Sequence, residues 1–241
     1  MFAACWELAA QFGVVAPIFL PTFSHVVIGL WHGLLDGDYA ELVGASLYRA
    51  LAGFLIAMIV GVPLGFATAQ SKLLDMFVEP IVATGFPAPK IAFLPIFVLW
   101  FGVDHLSKIL LVALVCVFPF IVAAHASASM VSRPQVWAAR AMATTRFEMF
   151  YRIILPASLP SLMSGVRVAI PHALVTTFAA EMIAGGGGLG SELVYAQRFF
   201  QTARVFEILL IMLAIGYVMD VILLRVRTAL LRWHEQAAFS D

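Results

Sequence analysis

Residues 50–71, ALAGFLIAMIVGVPLGFATAQS, run through 22 consecutive positions without a charged side chain. A helix needs about 20 mainly apolar residues to cross the ~30 Å hydrocarbon layer of a bilayer, so this run predicts a membrane-spanning helix. Gly53, Gly61 and Gly65 recur along it at or near helical spacing, which predicts close packing against another helix. The rest of the chain has the same character. Of its 241 residues 63% are hydrophobic and 12% are charged, with a mean hydropathy of +1.00. A water-soluble domain carries about 25% charged residues, so the expected solvent here is lipid and the expected fold is an all-α polytopic membrane protein. A formal net charge of zero argues against nucleic acid, which calls for a basic face.

Working outward, Met1–Leu20, Leu106–Ala126, Ala157–Ile183 and Val205–Val226 each read as a spanning helix. His25–Leu35 reads as a shorter helix, followed by the turn-like Asp36-Gly37-Asp38. Leu73–Gly102 is apolar but interrupted: Pro87, Pro89 and Pro95 cannot all sit in one straight helix, and Lys90 lies among them. Broken backbone at membrane depth is tolerated where protein or a water-filled cavity satisfies it, which predicts a kinked, cavity-lining span. Together with residues 50–71 these make about six spans within one membrane domain, 1–241. No basic region precedes the first apolar stretch, so no cleaved signal peptide is expected.

One interval is polar and dense in charge: Ser132–Pro160, SRPQVWAARAMATTRFEMFYRIILPASLP. Ser132 and Gln135 have capping-box spacing, and Pro134 fits a helix's first turn. Ala139, Ala143, Phe147, Phe150 and Ile154 then fall on one helical face, with Arg140, Thr144, Glu148 and Arg152 on another. Glu148 stands four residues before Arg152, the favourable order for an ion pair. Leu155-Pro156 and Leu159-Pro160 are expected to stop this helix. By pattern the segment is either an amphipathic connector lying at the interface or a docking element for something outside the membrane. Lys72, Arg133, Arg140, Arg146, Arg152, Arg225, Arg227 and Arg232 fall on its side of the six-span arrangement. The opposite side has Arg49, Lys108, Arg198 and Arg204, diluted by Asp36, Asp38, Glu41, Asp104 and Glu192. Short loops rich in Lys and Arg stay in the cytoplasm, so Ser132–Pro160 and the C-terminus are expected there.

Ionisable groups inside spans usually meet a partner or a cavity. Glu181 is therefore either a gate residue or half of a structural ion pair; Arg167 is expected to snorkel or to pair structurally, Lys108 to snorkel, and Lys90 to line a path or snorkel. The run Gly185–Gly190 does not make a phosphate loop, because Gly190 is followed by Ser191-Glu192 and a Walker A motif requires a lysine there. The six histidines show no paired spacing for a metal, Cys5 and Cys116 imply no disulfide, and no hydrolase elbow is present. Nothing points to an enzyme.

Three stretches resemble the membrane subunits of ATP-binding-cassette importers. AARAMATTRFEMFYRIILP is similar to their EAA loop, with Ala138-Ala139 and Ile153-Ile154-Leu155-Pro156 at the matching separation; Trp137 replaces the family's Glu and Ala143 its Gly. Pro89-Lys90-Ile91-Ala92, Leu94-Pro95 and Leu99-Trp100-Phe101-Gly102 resemble the nitrate, sulfonate and taurine branch, as do Ala180-Glu181-Met182-Ile183 and Gly188-Leu189-Gly190. The resemblance implies a type I importer fold with a cytoplasmic coupling helix, in a permease of the cell inner membrane that binds no cofactor itself. It implies a homodimer, two ATPase subunits that bind the ATP, and a periplasmic substrate-binding protein. Ala138, Ala139, Arg140, Ala143, Arg146, Phe147 and Phe150 would couple to the ATPase. Lys90, Glu181, Pro87, Pro89 and Pro95 would belong to the translocation path or its gate, with the extra glycines a flexible outer turn. The cargo would be a small anion, such as a sulfonate, taurine, nitrate or an aromatic carboxylate. A secondary transporter or channel working alone also fits broken helices and charges within spans.

Overall fold

The computed structural model of the protein describes residues 2–13, 16, 18–130 and 144–231, and every regular element among them is helical. In chain order these are α1 (Phe2–Gln11), α2 (Phe23–Leu35), α3 (Asp38–Gln70) and α4 (Lys72–Gly85). A single 3-10 turn (Lys90–Phe93) leads into α5 (Leu94–Phe101) and α6 (His105–Ser129). Then come α7 (Arg146–Met149), a π turn (Phe150–Ile154), α8 (Leu155–Ala184), α9 (Leu189–Arg198) and α10 (Thr202–Leu230).

Among the described residues four helical stretches are long and apolar enough to cross a membrane: α3, α6, Phe150–Ala184 and α10. α4 and Lys90–Phe101 pass the same test only as a pair, bent by 94° at the break between them. Pro87 and Pro89 lie in that break and Pro95 in the first turn of α5, where a missing N–H costs nothing. The expected span over Met1–Leu20 is not formed. α1 ends at Gln11 and Gly13 turns the chain at φ 66°. Trp6 donates its Nε1–H to the Pro21 carbonyl at 2.9 Å, and Glu7 accepts from the Ser24 N–H and hydroxyl at 3.0 Å each. The Glu7 carboxylate thus answers free N–H groups at the start of α2, and the Ser24 backbone N–H holds its carboxyl below the usual range. The segment expected to span holds one short helix, α1, tied to the start of α2, itself the short helix expected over His25–Leu35.

The described residues form two compact units. The first comprises those within Met1–Leu51, Ile91–Leu111 and Leu174–Val218. Its apolar centre is Leu94, Leu111 and Ala180, with Phe97, Val98 and Ala184 packed around them. The second comprises those within Ala52–Lys90, Val112–Ala173 and Met219–Asp241. There Phe54, Ala57, Val112, Cys116, Phe120, Ala169 and Ala173 make one buried cluster; Phe66, Ala124, Ile154 and Leu162 make another. Gly61 and Gly65 do what their spacing predicts. A Cβ on Gly61 would sit 2.8 Å from both the Val117 carbonyl and Phe120 Cβ, and one on Gly65 would strike the Ile121 carbonyl. Small residues let α3 lie directly on α6.

Leu155-Pro156 and Leu159-Pro160 do not stop a helix, because helix runs without a break from Arg146 to Ala184. The Leu155 N–H reaches back five residues to the Phe150 carbonyl. That wider turn immediately precedes Pro156, which has no N–H to give, and it accommodates the missing bond.

Candidate functional site

The densest polar arrangement in the first unit gathers around Glu181, in the last turn of α8. The side chain is fully buried, and Ser46 and Arg49, one turn apart on α3, reach it together. Arg49 Nη1 donates to Glu181 Oε1 at 2.6 Å, the Ser46 hydroxyl lies 2.9 and 3.0 Å from the two carboxylate oxygens, and the Gly190 N–H donates to Oε2 at 3.0 Å. Ser46 Oγ in turn accepts the Leu189 N–H at 3.0 Å. The first free N–H groups of α9 are therefore capped by side chains from elsewhere in the chain, and the carboxylate sits where a helix N-terminus favours negative charge.

Gly185–Gly188 are what make this approach possible. All four have positive φ, from 70° to 95°, where an L side chain is strained. Gly188, just before α9, has no room for a Cβ, which would strike the Glu181 carboxylate and lie 2.7 Å from Arg49 Nη1. The loop presents two carbonyls, those of Gly186 and Gly187, to Arg49 Nη2 and Nη1 at 2.6 Å each. Arg49 Nε donates to His105 Nδ1 at 3.1 Å. The arginine is 2% exposed and four of its contacts are made. It is no surface charge, as the sequence suggested, and it has little left to offer a ligand. Glu181 is likewise satisfied by three donors. Lys108 does not snorkel: it is fully buried, with Nζ 2.6 Å from the Val103 carbonyl.

A second network in the same unit joins Tyr39, whose hydroxyl donates to Glu207, with Arg204, which holds Glu192 Oε1 at 2.6 Å and stacks on the Tyr39 ring at 5.4 Å. Glu207 and Arg204, with His25 and Gln201, line an open cavity of about 460 Å³.

In the second unit Lys90 donates to the Phe86 carbonyl at 2.7 Å and lies 5.6 and 5.0 Å from the Phe86 and Phe118 ring centres. It thereby caps the end of α4 at the proline break. Pro87, Pro89 and Pro95 are exposed. Of the residues expected to couple to an ATPase, Ala138, Ala139, Arg140 and Ala143 lie outside the described residues, as do Ser132 and Gln135. Arg146 and Phe147 begin α7, but their side chains lie outside the description. Phe150 packs edge-on against Phe66 at 5.2 Å, inside the Phe66–Leu162 cluster.

The continuous helix expected through Ala143, Phe147 and Ile154 is interrupted: Thr144 and Thr145 are not helical. Thr145 caps α7. Its Oγ1 accepts the Glu148 N–H at 3.2 Å, while Glu148 Oε2 accepts the Thr145 N–H at 3.0 Å and its hydroxyl at 2.9 Å. Sequence reasoning missed this cap, although Thr145-x-x-Glu148 is the capping-box spacing itself. It offered a structural ion pair as one reading of Glu181 but did not name Arg49 as the partner; the visible signal was a Ser46-x-x-Arg49 turn on the threshold of the uncharged run.

With this geometry in view, comparison with known proteins is specific. Residues 61–231 match the family described as the binding-protein-dependent transport system inner membrane component. An aliphatic sulfonates transport permease protein, SsuC of Bacillus subtilis, is 30% identical over 230 residues, 95% of this chain and 83% of that protein. A taurine transport system permease protein, TauC of Escherichia coli, is 30% identical over 234 residues, 95% of this chain and 85% of that one. An ABC transporter permease protein of Brucella abortus is 31% identical over 96% of this chain and 92% of its own. Among solved structures, a chain of the MetNI methionine ABC transporter in an inward-facing conformation superposes with a TM-score of 0.70 at 17% identity, covering 79% of this chain and 95% of its own. That likeness carries the fold, the type I importer architecture, and the permeases carry the role, which is transport and not enzymatic catalysis. The chain belongs to the family of binding-protein-dependent transport system inner membrane components and is the multi-pass permease subunit of an ATP-binding-cassette importer.

Proposed function

We propose that the protein forms, as a homodimer in the cell inner membrane, the translocation path for a small sulfonate-like organic anion. Two cytoplasmic ATPase subunits would grip the segment around Ala138–Phe150, and a periplasmic binding protein would deliver the cargo. The observation that carries this reading is the match to a sulfonate and a taurine permease along 95% of the chain. The positive charges of Arg133, Arg140, Arg146 and Arg152 support a cytoplasmic position for that segment.

Mechanistically, closure of the ATPase pair pulls on residues 138–150. α7 continues through the π turn into α8, so a pull on α7 is delivered along the axis of a membrane helix. At the far end of α8, Glu181 holds the glycine loop through Arg49, Ser46 and Gly190. In this reading Glu181 works as the clasp of a gate and the cargo never touches it. The Pro87–Pro95 break, with Lys90 latched on Phe86, gives the path its second flexible point. The test is the reconstituted complex of this chain with its ATPase and binding protein. Taurine or an alkanesulfonate, loaded on the binding protein, should stimulate ATP hydrolysis, and charge reversal at Arg140 and Arg146 should abolish the stimulation. Unaltered stimulation in the reversed variant would remove the docking role; indifference to every sulfonate would remove the cargo class.

A further inference from the structure

We propose that Arg167 forms a contact within the membrane for the anionic group of the cargo, an inference that rests on the sulfonate reading and deepens it. In the second unit α8 buries Leu162, Met163, Gly165 and Ala169 and leaves Ser164, Arg167, Val168, Pro171 and His172 exposed. Those positions follow the three- and four-residue steps of a single helical stripe. Arg167 lies 12 residues after Leu155 and 17 before Ala184, about 18 and 26 Å along the axis. A hydrocarbon layer of ~30 Å counted from Ala184 includes it.

Three polar groups along this stretch of α8 have no partner among the described residues. The guanidinium has five N–H donors, and among the described residues it has no hydrogen-bond or ion-pair partner. Pro171 stands four residues further on and has no N–H, so the Arg167 carbonyl loses its helical donor. His172 Nδ1 lies 2.8 Å from the Val168 carbonyl and donates to it, which leaves Nε2 turned away from the helix backbone. Hydrocarbon can satisfy none of the three, whereas water or a polar ligand can satisfy all. The stripe therefore faces the aqueous path. A guanidinium there offers a permanently charged fork of donors suited to an oxyanion, and a sulfonate has the oxygens to take two of them.

The experiment uses the full complex in liposomes, with Cys5→Ser and Cys116→Ala as background. Arg167→Cys should react with the charged, water-borne reagent methanethiosulfonate ethylsulfonate, and excess taurine should slow the reaction. In uptake of labelled taurine, Arg167→Gln should raise KM at least about tenfold, the scale of a lost charged hydrogen bond, with a smaller change in Vmax, and Arg167→Lys should recover part of the loss. A thiol at 167 that never reacts would put the stripe against lipid or a second copy and overturn the proposal. So would an unchanged KM in Arg167→Gln when the wild-type complex carries taurine. A wild-type complex that carries neither taurine nor ethanesulfonate would instead overturn the sulfonate reading beneath it.

Discussion

The glycine-loop end of α3 and the middle of α8 each put an arginine inside a membrane helix, and the chain treats the two in opposite ways. Arg49 is 2% exposed, pairs with Glu181 at 2.6 Å, and spends two further bonds on loop carbonyls. Arg167 is exposed and has no partner among the described residues. A charge left in a low-dielectric setting must be neutralised by the protein or by something the protein binds. The first arginine is a component of the fold. The second, in the proposal above, is there for the cargo.

The largest expected effect tests that difference through stability alone. Glu181→Ala strands the Arg49 guanidinium in a buried site, and Arg49→Leu strands the carboxylate; each should cost roughly 3–5 kcal/mol in thermal unfolding of the detergent-purified subunit. The double variant Arg49→Leu/Glu181→Leu should lose clearly less than the sum, because neither charge is then left alone. Arg167→Leu should move stability by only about 0.5 kcal/mol, as for an exposed position. Equal losses at Arg49 and Arg167 would erase the distinction.

The loop supplies a sharper version. Gly188 has φ 95° and ψ 172°, a region populated essentially by glycine alone, and a Cβ there meets the Glu181 carboxylate. Gly187 also has positive φ, 76°, but open space around it. Gly188→Ala should therefore cost about 2–3 kcal/mol, strain and collision together, against about 1 kcal/mol of strain alone for Gly187→Ala. Unfolding temperatures of the two variants give the comparison. Similar shifts would mean that the clasp contributes nothing beyond backbone strain.

How much of this could be read beforehand depended on the range of each interaction. The uncharged run at 50–71 and the proline break at 87–95 were legible because lipid and the missing proline N–H act locally, on composition and spacing. Met1–Leu20 misled for the same reason: its apolar content suits a span, but its course is set by Trp6 and Glu7 reaching residues at the start of α2. The Arg49–Glu181 pair joins positions 132 residues apart, and no periodicity in one strand of sequence reports a partner at that distance. Lys108 likewise looked like an end-of-helix charge until the chain folded over it. The motifs AEMI and GLG flank this network, yet they did not say that Glu181 is taken up by Arg49, Ser46 and Gly190.

The smallest effect concerns the other end of α8, where the contacts are exposed and short in range. Thr145 and Glu148 cap α7 reciprocally, and the helix they start runs unbroken to Ala184. Thr145→Ala should cost about 1 kcal/mol, the usual worth of an N-cap hydroxyl. Thr145→Ser, which keeps the oxygen, should cost little. The cap also carries a pH signature. The Thr145 backbone N–H, then its hydroxyl, and least of all Arg152 hold the Glu148 carboxyl below its ordinary 4.5. A group lowered in the folded state stabilises it above the unfolded value, and that contribution fades as pH falls through the folded one. Helix content measured by circular dichroism on acidification from neutrality should hold until about pH 4.5 and then fall in wild type, while Glu148→Gln, which has no carboxylate to protonate, should show no such step. If the two titrate alike, Glu148 is a bystander of the cap, and α7 owes its start to Thr145 alone.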